Sequence, residues 1–136
     1  MPANTDHLDD KGLEALLELM FLAAQADGEF TSDERQLFSK TATEITHGRL
    51  SSAQIEALML RLEEDFFSYG RETRLKAIRE TLSNPEDRRT GLKLAIHMVS
   101  EDGIIRTSER ELLLEVAEAL DIDASEAADL VKAASK

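Results

Sequence analysis

Asp27-Gly28-Glu29-Phe30-Thr31-Ser32-Asp33-Glu34-Arg35-Gln36-Leu37 recurs without a gap as Asp102-Gly103-Ile104-Ile105-Arg106-Thr107-Ser108-Glu109-Arg110-Glu111-Leu112. The copies lie 75 residues apart, 27 against 102 and 37 against 112, and five of the eleven residues are identical. The shared pattern is Asp-Gly-x-(Phe/Ile)-x-(Ser/Thr)-x-Glu-Arg-x-Leu, each copy set between an ending and a starting amphipathic stretch. Self-similarity in matching context marks an internal duplication. It predicts two similar helix–loop–helix units packed about a pseudo-two-fold axis.

The surrounding sequence reads as all-α. Leu13, Leu16, Leu17, Met20, Phe21 and Ala24 form one helical stripe, predicting a first helix over about 10–26. A second opens near Ser32 and stops at Gly48. A third starts at Ser51, where Gln54 completes a capping box, and runs toward Gly70. A short fourth carries Leu75, Ile78 and Leu82. Asn84-Pro85 suits the cap and first turn of a fifth helix ending near Glu101. The sixth spans about 107–120 and the seventh about 125–134. The expectation is a compact bundle of about seven helices, with 1–9 a frayed tail and 10–136 a single helical domain.

Composition narrows the function. Aromatic residues make up 4% of the 136 residues and Trp is absent, so the core is built from Leu, Ile, Ala and Met. The net charge of −12 repels nucleic acid, whose binding rests on cations that replace counterions. Zero Cys excludes disulfides, thiolate chemistry and Cys-based zinc sites. No apolar run reaches the roughly 18 residues of a membrane span, and the polar, acidic start is unlike a signal peptide. A cytoplasmic protein without nucleic-acid partners or direct membrane insertion is expected. No nucleophile–base pair, phosphate loop or His pair at zinc spacing stands out, so an enzyme is not expected.

Within the repeat, Gly28 and Gly103 follow helix ends and predict left-handed backbone. Phe30 and Ile105 are single apolar anchors. Ser32 and Thr107 are expected to cap the next helices, with Glu34 and Glu109 in the first turns. Asp27 and Asp102 instead face the negative pole of a preceding helix, unfavourable by about 0.3–1 kcal/mol. Loop amides, Arg35 or Arg110, or a cation could compensate them. The spacing from Asp27 to Glu34 equals the second half of an EF-hand calcium loop. The first half is missing, because Ala23 and Met98 stand at the opening ligand position and Gln25 and Ser100 at the third. The first loop is the richer in acids, with Asp27, Glu29, Asp33 and Glu34; the second offers Asp102 and Glu109. Oxygen-only donors favour calcium, magnesium or manganese. His97 and Glu101, one turn apart, are a further candidate pair, and Glu63-Glu64-Asp65-Phe66-Phe67-Ser68-Tyr69 a candidate partner surface.

Ala26-Asp27-Gly28-Glu29-Phe30 leading into Thr31-Ser32-Asp33-Glu34-Arg35, with Asp102-Gly103 leading through Glu109 into Leu113-Leu114-Glu115-Val116-Ala117-Glu118-Ala119-Leu120-Asp121-Ile122, resembles the TerB-like tellurite-resistance family over residues 12–132. The resemblance implies a compact all-helical fold of two related units and acidic positions for a divalent metal. By position these are Asp27, Glu34, Asp102 and Glu109. It also implies bacterial stress-response work through protein complexes, some at the membrane, and leaves a homodimer open. The same domain is similar to the N-terminal region of membrane-anchored J-domain co-chaperones, although the J-domain His-Pro-Asp is absent. The expected function is a non-enzymatic, weakly cation-binding interaction module; the alternative is a structural or co-chaperone-like adaptor whose acids are caps and salt bridges, without metal.

Overall fold

The computed structural model describes residues 5–26, 28–100 and 103–134. Asp27, Glu101 and Asp102 therefore lie outside the described residues. The architecture is all-helical: α1 (Asp10–Ala24), α2 (Ser32–Ile45), α3 (Ser52–Thr81), α4 (Pro85–Val99), α5 (Thr107–Ala119) and α6 (Ala124–Ala134), with no strand among the described residues. Among the described residues six helices stand where seven were expected, because the third and fourth run together as α3. Gly70 marks the junction. Its φ of 82° and ψ of 165° are not helical and kink α3 into two arms, in a backbone region essentially reserved for glycine.

The duplication sets the element boundaries. α1 begins at Asp10 and α4 at Pro85, α1 ends at Ala24 and α4 at Val99, and α2 and α5 start at Ser32 and Thr107, each pair 75 residues apart. α1 is the central helix. Leu13, Leu16, Leu17, Leu19, Met20 and Phe21 are fully buried, and α1 packs most extensively on α4 and α3. Gly91, the counterpart of Leu16, faces it across the α1–α4 contact. A Cβ at Gly91 would collide with Leu19 and press within 3.3 Å of Leu16. A leucine knob on one copy thus enters a glycine hole on the other, as expected where two-fold-related helices cross.

The ends are satisfied by side chains. Ser51 and Gln54 form the expected capping box of α3, and Asn84 caps α4 ahead of Pro85. Arg88 donates to the carbonyls of Leu82 and Arg79 at the end of α3, at 2.5 and 3.1 Å. The segment expected to fray is tied down from Thr5 onward. Buried Thr5 donates to the Ile45 carbonyl at 2.5 Å, Arg49 donates to the Leu8 carbonyl, and His7 Nε2 meets Asp87 Oδ1 at 2.6 Å.

Candidate functional site

Each repeat loop follows a helix end that the duplication makes equivalent. The amides of Gln25 and Ser100 donate to the carbonyls of Phe21 and Ile96, both at 3.0 Å; those of Gly28 and Gly103 donate to Gln25 and Ser100, both at 2.9 Å. Gly28 and Gly103 have φ of 91° and 80°, the left-handed backbone expected of them. Phe30 then turns inward and packs edge-on against Phe21 and Phe38, with centroids 5.2 and 6.2 Å away, while Ile105 is buried in the second copy.

The caps differ from expectation by one residue. The N-caps are Thr31 and Arg106, not Ser32 and Thr107. The repeated glutamates decide this, since each sits at the third helical position and reaches back to the cap amide. Glu34 Oε1 accepts from the Thr31 N–H and Glu109 Oε1 from the Arg106 N–H, both at 2.8 Å. In return the Glu34 N–H donates to Thr31 Oγ1 at 3.2 Å. Arginine offers no acceptor, so the second copy keeps half of the box; the Arg106 guanidinium lies 3.7 Å from Glu109.

These first turns face each other across an open groove of about 660 Å³, lined by Asp33, Glu34, Leu37 and Lys40 from α2, Met98 and Val99 from α4, and Arg106 and Glu109. The groove unites three expected site residues, Asp33, Glu34 and Glu109. Glu29 is exposed on the first loop and does not line it. Asp27 and Asp102 fall outside the described residues. Among those described, no three His, Asp or Glu side chains gather closely enough to hold a metal. Ala23 and Met98, at the opening EF-hand position, are helical and buried. Gln25, at the third position, leaves Oε1 buried with no hydrogen-bond partner among the described residues.

The expected local counter-charges are directed elsewhere. Arg35 donates to Glu63 at 2.7 Å and stacks over the Phe30 ring at 4.7 Å. Arg110 lines a different groove, between α5 and α6. His97 is exposed at the end of α4, and its candidate partner Glu101 is not among the described residues. Lys40 and Arg106 were not singled out beforehand, and Met98 only as the residue that breaks the EF-hand pattern. Arg106 had a usable signal, as the residue three before the repeated Glu109.

The family model for the tellurite resistance protein TerB matches residues 13–132, nearly the whole chain. The chain belongs to the TerB family. Neither the curated proteins nor the solved structures compared with it include a match. In this TerB-family chain, no helix among the described residues is long and apolar enough to cross a membrane. The matched span contains both Asp-Gly steps of the sequence and every residue that lines the groove.

Proposed function

We propose that this TerB-family chain is a non-enzymatic interaction module of a bacterial stress response, cytoplasmic, which docks onto a protein partner and binds a divalent cation weakly at its acidic loops. Gln25 Oε1 carries the cation reading. It is a buried amide oxygen without a donor among the described residues, two positions before Asp27 in the sequence and at a ligand position of the EF-hand register. Buried acceptors are ordinarily satisfied, and an ion is one of the few groups that would satisfy this one. The pairing of Arg35 with Glu63 supports the same reading, because it commits to α3 a guanidinium that was the expected counter-charge of the first loop.

The reading without metal has its own observation, since Glu34 and Glu109 each commit one oxygen to a cap. Thermal melts separate the two. At a hundredfold excess over the dissociation constant, calcium, magnesium or manganese should add about 2.7 kcal/mol. Asp27→Asn should remove most of that increment and Asp102→Asn less. If no divalent ion shifts the melt beyond an ionic-strength control, the adaptor without metal stands.

A further inference from the structure

Two surfaces away from the acidic groove are complementary in charge and both carry exposed apolar residues. On α3, Leu60 and Phe67 are 65% and 92% exposed. Seven residues apart, they lie two turns from each other on one side of the helix, with Glu64 between them and Glu56 one turn before. Glu56 and Glu64 have no ion pair among the described residues, while neighbouring Glu63 is taken by Arg35. The stripe is therefore aromatic, aliphatic and negatively charged.

On the other surface, Arg110, Leu114, Ala128, Val131 and Lys132 line an open groove of about 270 Å³ between α5 and α6. Its floor is apolar, and Leu114 is 40% exposed. Of the ten arginines in the sequence, Arg110 is the one whose side chain has no hydrogen bond or ion pair among the described residues. Lys132, on the opposite wall, also lacks an ion pair among them. Two cations thus flank an apolar floor.

We propose that a second copy of this chain occupies the groove, laying its α3 stripe between α5 and α6. Phe67 would seat on Leu114 and Val131, the kind of aromatic anchor that dominates small interfaces. Glu64 would face Arg110, setting register and steering encounter. The stripe cannot fill the groove of its own molecule, because Phe67 stays almost fully exposed. Every copy carries both surfaces, so the contact can be reciprocated within a dimer or repeated along a chain. One helix face in one short groove is a small interface, which sets the affinity on the order of tens to hundreds of micromolar.

Sedimentation equilibrium of the full chain, from micromolar to millimolar concentration at low salt, tests this. The average mass should rise with concentration and fall as salt is added. Phe67→Ala, Glu64→Lys and Arg110→Glu should each weaken association by about tenfold or more. An equimolar mixture of Glu64→Lys and Arg110→Glu should associate again, because the introduced lysine meets the introduced glutamate and the two native surfaces meet each other. Recovery also shows that both variants fold. A wild-type chain that stays monomeric at millimolar concentration would overturn the proposal, as would single variants that associate like wild type. So would a mixture that stays monomeric.

Discussion

Glu34 and Glu109 show how one residue type at one spacing serves two chemistries. A glutamate seven residues after an Asp closes a calcium loop; a glutamate three residues after a cap satisfies an orphan amide. In both loops the second bond is made, at 2.8 Å to Thr31 and to Arg106. A carboxylate has two oxygens, so the cap leaves one available. Gln at this position keeps the cap and loses the charge. Glu34→Gln should therefore leave the apo melting temperature nearly unchanged, whereas Glu34→Ala should cost about 0.5–1 kcal/mol, one exposed hydrogen bond. Repeating both melts with excess calcium separates the roles. If the cation reading holds, Glu34→Gln loses part of the calcium increment although its apo stability is intact. Equal increments in Glu34→Gln and wild type would mean that this carboxylate is only a cap.

Gly70 is the point at which element and residue meet in α3. Its φ of 82° with ψ of 165° breaks the helix, but helical residues resume at once, so Arg71 and Arg74 stand on a helical arm with Leu75 and Ile78. That arm reaches the rest of the bundle through ion pairs, Arg71 to Glu115 and Arg74 to Glu18. A Cβ at Gly70 would meet nothing within 4 Å, so an alanine there is penalised by backbone conformation and not by collision. Gly70→Ala should destabilise by about 1–3 kcal/mol, or straighten the kink and separate those pairs. A Ser68→Ala control, exposed two residues away, should stay within about 0.5 kcal/mol. Helix ends were the most legible feature of the sequence, because Gly48, Gly70, Asn84-Pro85 and the two Asp-Gly steps are local signals. The caps at Thr31 and Arg106 were misplaced by one residue for a physical reason. Thr31 and Ser32 are both good capping types, and only the reach of Glu34 chooses between them. Arg106 is no capping type at all, so its place follows from Glu109 and the repeat.

For the whole molecule, the repeat disclosed the relation of α1 to α4 and of α2 to α5, but it was silent on what joins the units to the arms of α3. Asp33, Glu34 and Glu109 were legible as site residues because each lies inside the repeated stretch. The pairing of Glu18 with Arg74 was not, since the partners are 56 residues apart and no local pattern links them. Glu18 sits on the central helix and is only 4% exposed. Its oxygens accept from Arg74 Nε and an Arg74 terminal nitrogen at 2.7 and 2.9 Å, and this bonding to Glu18 raises the guanidinium pKa above its ordinary value. A charge on the buried face of the central helix is tolerable only with that partner in place. Arg74→Ala should therefore cost roughly 3 kcal/mol, which for a chain of this size lowers the melting temperature by about 10 °C. Replacing both partners by leucine should recover most of the loss, because the penalty lies in the uncompensated carboxylate and not in the missing bond. Urea titrations of Arg74→Ala and of the double-leucine variant decide the matter. A single variant that shifts the midpoint by less than about 1 kcal/mol equivalent would mean that water reaches Glu18, and that apolar packing of α1 on α4 holds the two units together without help from this pair.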